Sequence, residues 1–276
     1  MTARIAVVAE LPEYAVAVAG LPERTERVDL VSGAIVVVDG ATRWWDAATV
    51  AVEERAAAVL VAEPHDTPLE RVDRLAELAG RSGVPILVHR ARLREDLVAM
   101  AVEQRAGSAS RVVVAECRAA PKDLPATVRD AVGWTRALAD ERLAVAAASF
   151  GPASGTALLR ARAGGRVVGS MIVGTTIGEA TVLRVQALGE ATTELEIDAP
   201  LGRTELATST VRGRLVAPPR FEAGERAAMR RAVEAVVKGL PAADLDDLMH
   251  DVGAATAVLD PRALLSSLVD NRPKNV

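Results

Sequence analysis

The chain has 276 residues, 50% apolar and 25% charged, with 2% aromatics and a net charge of −4. That length suits one large domain or two modest ones, with a core built from Ala, Val and Leu. The charge gives no basic footprint for nucleic acid, no stretch reaches the roughly 18 apolar residues of a membrane span, and the single cysteine, Cys117, cannot close an internal disulfide.

The opening segment has a short apolar run, broken by Glu10, Pro12 and Glu13. It lacks the long apolar region of a signal peptide, so the expected location is the cytoplasm. "RIAVVA" (4–9) predicts a strand, and "YAVAVAGL" (14–21) a short helix ended by Gly20 and Pro22. "AIVVVDG" (34–40) is rich in β-branched residues and ends in an Asp-Gly turn signal. A helix is expected over 45–56, then a strand, "AAVLVAE" (57–63), closed by Pro64. Residues 68–83 place Leu69, Val72, Leu75, Leu78 and Ala79 on one helix face. "VPILVHR" (84–90) predicts a strand and 94–107 a helix. Apolar strands alternating with helices predict a parallel sheet covered on both faces. Ligands of such sheets bind outside the carboxyl ends of the strands.

The pattern changes after "GSAS" (107–110), a hinge signal. "RVVVAEC" (111–117) predicts a strand that buries Cys117 as a small apolar residue, and 125–140 a helix. Strand signals then follow one another from about 143 to 216, which predicts an antiparallel meander. "GTTIG" (174–178) reads as a hairpin connection within it, and helices are expected over 224–240 and 243–258. The fold class is therefore α/β plus α+β. A truncated Rossmann-like domain over 1–108 precedes an α+β domain with a large open antiparallel sheet over 109–276.

Several residues fall at carboxyl strand ends. His65 and His89 are placed to share the cleft with Glu63 and Asp66, yet single polar loop residues are far more often solvated than metal-bound, so no metal is assigned. Arg90, with Arg92 and Arg94, has the chemistry to hold a carboxylate or phosphate, or to pair with Glu95 and Asp96. "RWW" (43–45) puts Arg43, Trp44 and Trp45 just after a strand end. Stacking on a sugar face and packing under the helix are both open for the two indoles.

From about residue 31 the sequence resembles the Gfo/Idh/MocA oxidoreductases, which include glucose–fructose oxidoreductase and inositol dehydrogenase. The resemblance rests on "IVVVDGATRWWDAATVAVEERAAAVLVAEP", "LERVDRLAELAGRSG", "VPILVHRARLRED" and "DLPATVRDAVGWTRAL", with Asp123, Asp130 and Trp134 in register in the last. It implies hydride transfer between NAD(P) and a sugar or polyol carbon, mediated by a lysine, a histidine and an aspartate. It also implies dimers or tetramers formed through the second sheet.

The residues depart from that pattern. The lysine position of the family's Glu-Lys-Pro holds Glu63, whose charge repels a developing alkoxide. The histidine position holds Thr127, which does not titrate near neutral pH, and of the three groups only Asp123 remains. After the first strand a dinucleotide binder needs G-x-G-x-x-G, where this chain has "ELPEYAVAVAG". The expectation is a protein without a bound cofactor. It binds a small polar, sugar-like ligand near Arg43, Trp44, Trp45, His65, His89, Arg90 and Thr127, or partners an active homologue. Two alternatives remain: an NAD(P)-dependent sugar or polyol oxidoreductase with an altered site, and a sugar lyase or isomerase using Glu63 or Asp123 as base.

Overall fold

The computed structural model describes residues 4–161, 165–178, 180–199 and 201–261. In chain order the elements are β1 (Ile5–Val8), α1 (Pro12–Ala19), β2 (Thr25–Arg27), β3 (Ile35–Asp39), α2 (Trp44–Glu53), β4 (Ala58–Ala62), α3 (Leu69–Ser82), β5 (Ile86–His89) and α4 (Glu95–Arg105). Then come β6 (Ser110–Ala119), α5 (Leu124–Ala139), β7 (Leu143–Phe150), β8 (Ser154–Ala161), β9 (Val168–Thr175), β10 (Val182–Gly189), β11 (Thr192–Asp198), β12 (Arg203–Thr210), β13 (Gly213–Val216), α6 (Gly224–Lys238) and α7 (Asp244–Leu259). They form two compact units, Met1–Glu95 with Arg220–Met249, and Asp96–Pro219 with His250–Val276.

The first unit holds a five-stranded parallel sheet in the order β2-β1-β3-β4-β5. β3 and β4 are continuous apolar runs because both of their faces are covered. α1 and α6 cover one face, where Tyr14, Ala17, Val18, Met229, Ala232 and Val233 pack against Val7, Ile35, Leu60 and Leu87. α2 packs against β3, β4 and α3. The segment 224–240, read from the sequence as part of the second half, thus builds the core of the first sheet. A doubly wound dinucleotide-binding sheet has the order 3-2-1-4-5-6. The present order matches it with the outermost strand missing. β2 was not legible in sequence, because Thr-Glu-Arg on a sheet edge carries no apolar run.

The second unit holds an eight-stranded sheet, β13-β12-β11-β10-β6-β9-β8-β7. The strand signals are all realised, but the sheet is not a simple meander. β6 enters between β9 and β10, and its pairing with β9 is parallel, while every other neighbour is antiparallel. The "GTTIG" segment is therefore no hairpin turn. It carries the chain across the end of β6, tied there by the Thr176 N–H to the Ala119 carbonyl at 2.9 Å. α5 packs on β6, β9 and β10, and it buries Val128, Val132, Trp134 and Leu138 against that face. Cys117 lies fully buried on β6, as its apolar reading requires.

Candidate functional site

The carboxyl edge of the parallel sheet begins at the turn after β1. Laid on that turn from its first residue, the spacing G-x-G-x-x-G puts Ala9, Leu11 and Tyr14 at the three glycine positions. Leu11 is the N-cap of α1 and offers no side-chain cap, while Pro12 removes one of the first backbone donors. Glu10 and Glu13 flank the helix start with negative charge. These residues do not fit a pyrophosphate: the side chains fill the space that glycines leave open, and the charge has the wrong sign.

Tyr14 is the residue that sequence reasoning missed. It is the only tyrosine of the chain, and the third glycine position would have singled it out. It is 1% exposed, and its hydroxyl lies 2.5 Å from His89 Nδ1, with the rings edge to face at 6.0 Å. Burial holds the phenol well above its usual range, and Glu63, Glu225 and Glu13 add to the effect. Tyr14 therefore keeps its proton at neutral pH, and its hydroxyl shares a hydrogen bond with His89 Nδ1. On the other side of the imidazole stands the first residue of α6. A Cβ on Gly224 would lie 2.9 Å from His89 Nε2, so a larger residue there would have to displace the imidazole. Tyr14 and His89 join the helix after β1 to the end of β5, across the ends of β3 and β4.

Glu63 follows β4 with φ 49°, a left-handed conformation unusual for a side-chain-bearing residue. Its N–H donates to the His89 carbonyl at 2.9 Å, and its carboxylate accepts the N–H of Ala91. The turn also presses on Gly40, where a Cβ would come within 2.2 Å of the Ala62 carbonyl oxygen. The Gly40 N–H donates to that oxygen at 2.8 Å, and the His65 N–H donates to the Gly40 carbonyl at 2.9 Å. The ends of β3, β4 and β5 are thus laced together by backbone, with Glu63 as the clasp.

The other sequence candidates fall into separate roles. Trp44 is fully buried, and its indole N–H donates to the Asp66 carbonyl at 2.7 Å, holding the turn before α3. Trp45 is half-buried and meets Trp44 edge to face at 6.1 Å. Arg43 is exposed and pairs with Asp46 at 2.6 Å. His65 is exposed, and Arg90 is buried. In the second unit Asp123 is the N-cap of α5 and makes no side-chain cap bond. Thr127 is fully buried, and its hydroxyl donates to the Asp123 carbonyl of its own helix at 2.9 Å. No group of three or more His, Cys, Asp or Glu among the described residues could hold a metal ion.

No family model and no curated protein matches the sequence. Solved structures do match the fold. The chain is similar to the UDP-N-acetylglucosamine 3-dehydrogenase GnnA from Acidithiobacillus ferrooxidans, at 15% identity and TM-score 0.69, covering 92% of this chain and 96% of that one. An oxidoreductase from Sinorhizobium meliloti matches at 14% identity and TM-score 0.69, covering 98% and 99%. KijD10, a 3-ketoreductase from Actinomadura kijaniata in complex with NADP and TDP-benzene, matches at 14% identity and TM-score 0.63, covering 94% and 97%. The fold is that of the Gfo/Idh/MocA-type oxidoreductases. Within the Gfo/Idh/MocA fold, this chain places a buried Tyr–His pair and a structural glutamate on the edge where a dinucleotide-binding sheet receives its ligand.

Proposed function

We propose that this chain is a non-redox protein on the Gfo/Idh/MocA fold. It binds a small polar, sugar-like ligand, or it serves an active homologue as a partner subunit. The observation that carries this reading is Tyr14. A dinucleotide lies along the carboxyl edge of such a sheet with its pyrophosphate at the N-terminus of the first helix. Here the third glycine position holds a tyrosine whose buried hydroxyl is bonded to His89. Glu63 supports the same reading, since its carboxylate holds the N–H of Ala91 and brings no positive charge for an alkoxide.

The names of the similar structures favour the rival, an NAD(P)-dependent sugar oxidoreductase, and one titration separates the two. NADH and NADPH are added to the full chain, and nicotinamide fluorescence and calorimetry are followed. No binding up to millimolar cofactor is expected, and a micromolar Kd for either would overturn the proposal. A thermal-shift screen of sugars, sugar phosphates and polyols then seeks the ligand. The double variant Glu63→Lys with Thr127→His is expected to stay without redox activity, because neither change opens the turn after β1.

A homodimer through the outer face of the eight-stranded sheet belongs to the same proposal. One half of that face is built of small and apolar side chains. There Ile172 is 49% exposed and Val168 36%, beside a shallow depression lined by Ala147, Ser149, Thr156, Leu158 and Ser170. A knob beside a hollow on one surface is self-complementary about a two-fold axis. The other half is laced with charges already paired, among them Arg184 and Arg203 with Glu196 at 3.2 and 2.8 Å.

A further inference from the structure

We propose that a cavity at the amino edge of the five-stranded sheet is a binding site for small organic cations, ammonium ions with a short apolar body. The cavity holds about 470 Å³, within the range of small-molecule sites. It lies wholly within the first unit, at the sheet edge opposite to Tyr14 and Glu63. The chain enters β4 at Ala57 and β5 at Val84 and Pro85 along its wall, and α3 and α6 end against it. Small and aliphatic side chains line it, and Asp246 is its one ionisable group.

Three helix ends meet there, and their charges do not cancel. α3 and α6 both arrive by their carboxyl ends, which carry partial negative charge. Both close on a left-handed glycine, Gly83 at φ 69° and Gly239 at φ 60°. The cap N–H groups return to the Ala79 and Ala235 carbonyls. Beyond those two, the last carbonyls of both helices accept no hydrogen bond among the described residues. Basic side chains ordinarily offset such ends. Here Arg81 and Lys238, one in each last turn, reach back to Glu77 and Glu234 of their own helices at 3.6 Å.

α7 arrives by its amino end, the positive one, and Asp244, Asp246 and Asp247 in its first turn offset it. Asp244 is held by Arg231 at 2.6 and 2.7 Å. Asp246 makes no hydrogen bond or ion pair among the described residues, and it lines the cavity. The result is an apolar hollow that offers acceptors and negative charge and has no donor side chain. A ligand that fits brings the donor and the positive charge on a body slim enough for walls of small residues. An alkylammonium ion has those properties. An anion of the same shape meets repulsion, and a neutral alcohol leaves the charge unanswered.

The test is an amide NMR titration of the full chain with hexylammonium chloride, sodium hexanoate and hexanol. Hexylammonium is expected to shift the Gly83 and Gly239 amides saturably, with a Kd about ten-fold below that of hexanol. Hexanoate should leave both amides in place. Asp246 is exposed, so Asp246→Asn and Asp246→Lys should fold as the wild type does. They should weaken hexylammonium by about three-fold and about ten-fold, and leave hexanol unchanged. No saturable shift at the two glycines, equal affinity for hexylammonium and hexanol, or indifference to both variants would overturn the site. The cavity lies away from the carboxyl edge, so each outcome is independent of the reading of Tyr14.

Discussion

Glu63 sits at φ 49°, and its carboxylate accepts the backbone N–H of Ala91. Removing that acceptor forfeits one exposed hydrogen bond, for which water can substitute, at a net cost of about 0.5–1.5 kcal/mol. Glu63→Ala should therefore destabilise the chain by about that amount in urea unfolding. Glu63→Gln, which keeps an acceptor oxygen, should cost less. Equal losses would show that the charge, not the hydrogen bond, is what matters. Cys117 makes a second prediction. Burial first, and then Glu116, push its thiol up to about 12. An unfolded thiol ionises near about 8.5, so unfolding releases a proton between those two values. The contribution is complete below the unfolded value and is lost as pH rises towards the folded one. Stability should fall above about pH 9, and Cys117→Ala should flatten that fall. The buried Tyr14 hydroxyl acts in the same direction at still higher pH. At pH 8 the native thiol should resist Ellman's reagent until the chain unfolds.

Among the elements, β5 shows how a sheet edge is closed. It ends the strand order, so the Val88 N–H has no neighbouring strand to meet. Asp244, at the start of α7, accepts that N–H at 2.8 Å and holds Arg231 through two bonds at 2.6 and 2.7 Å. Asp244→Ala strands both donors. The expected loss is about 2 kcal/mol, below the figure for a fully buried pair because Arg231 is partly exposed. Asp244→Asn, which can still accept from Val88, should lose less. If urea midpoints for the two variants coincide, the strand-edge bond carries no weight. At this scale most of the sequence reading holds, because long apolar periods such as that of α3 dictate their element. The exceptions are physical. β2 is too short and polar to signal itself, and the parallel pairing of β6 with β9 depends on a partner more than forty residues away.

For the whole molecule, the outer face of the eight-stranded sheet makes the assembly prediction. Light scattering at micromolar concentration should report a dimer, and Ile172→Glu should convert it to monomer without loss of fold by circular dichroism. A wild-type chain that scatters as a monomer would remove the dimer. The candidate site was legible only in part. The missing glycines and the departures at Glu63 and Thr127 could be read from residue types alone, because a phosphate turn and a proton-transfer pair each demand particular chemistry. Their replacement roles could not. Nothing in the string says that Glu63 clasps Ala91, that Trp44 serves Asp66, or that Thr127 turns its hydroxyl back onto its own helix.

The sequence by itself determined the two kinds of sheet, the buried helix faces and the departure from G-x-G-x-x-G after the first strand. These follow from periodicity and residue type, which are local properties of the chain. Only the tertiary structure decided that α6 completes the first core, that β6 divides the second sheet, and that Tyr14 reaches His89. Each of those joins residues distant in the chain, and a hydrogen bond or a packed face has no meaning until both partners are in place.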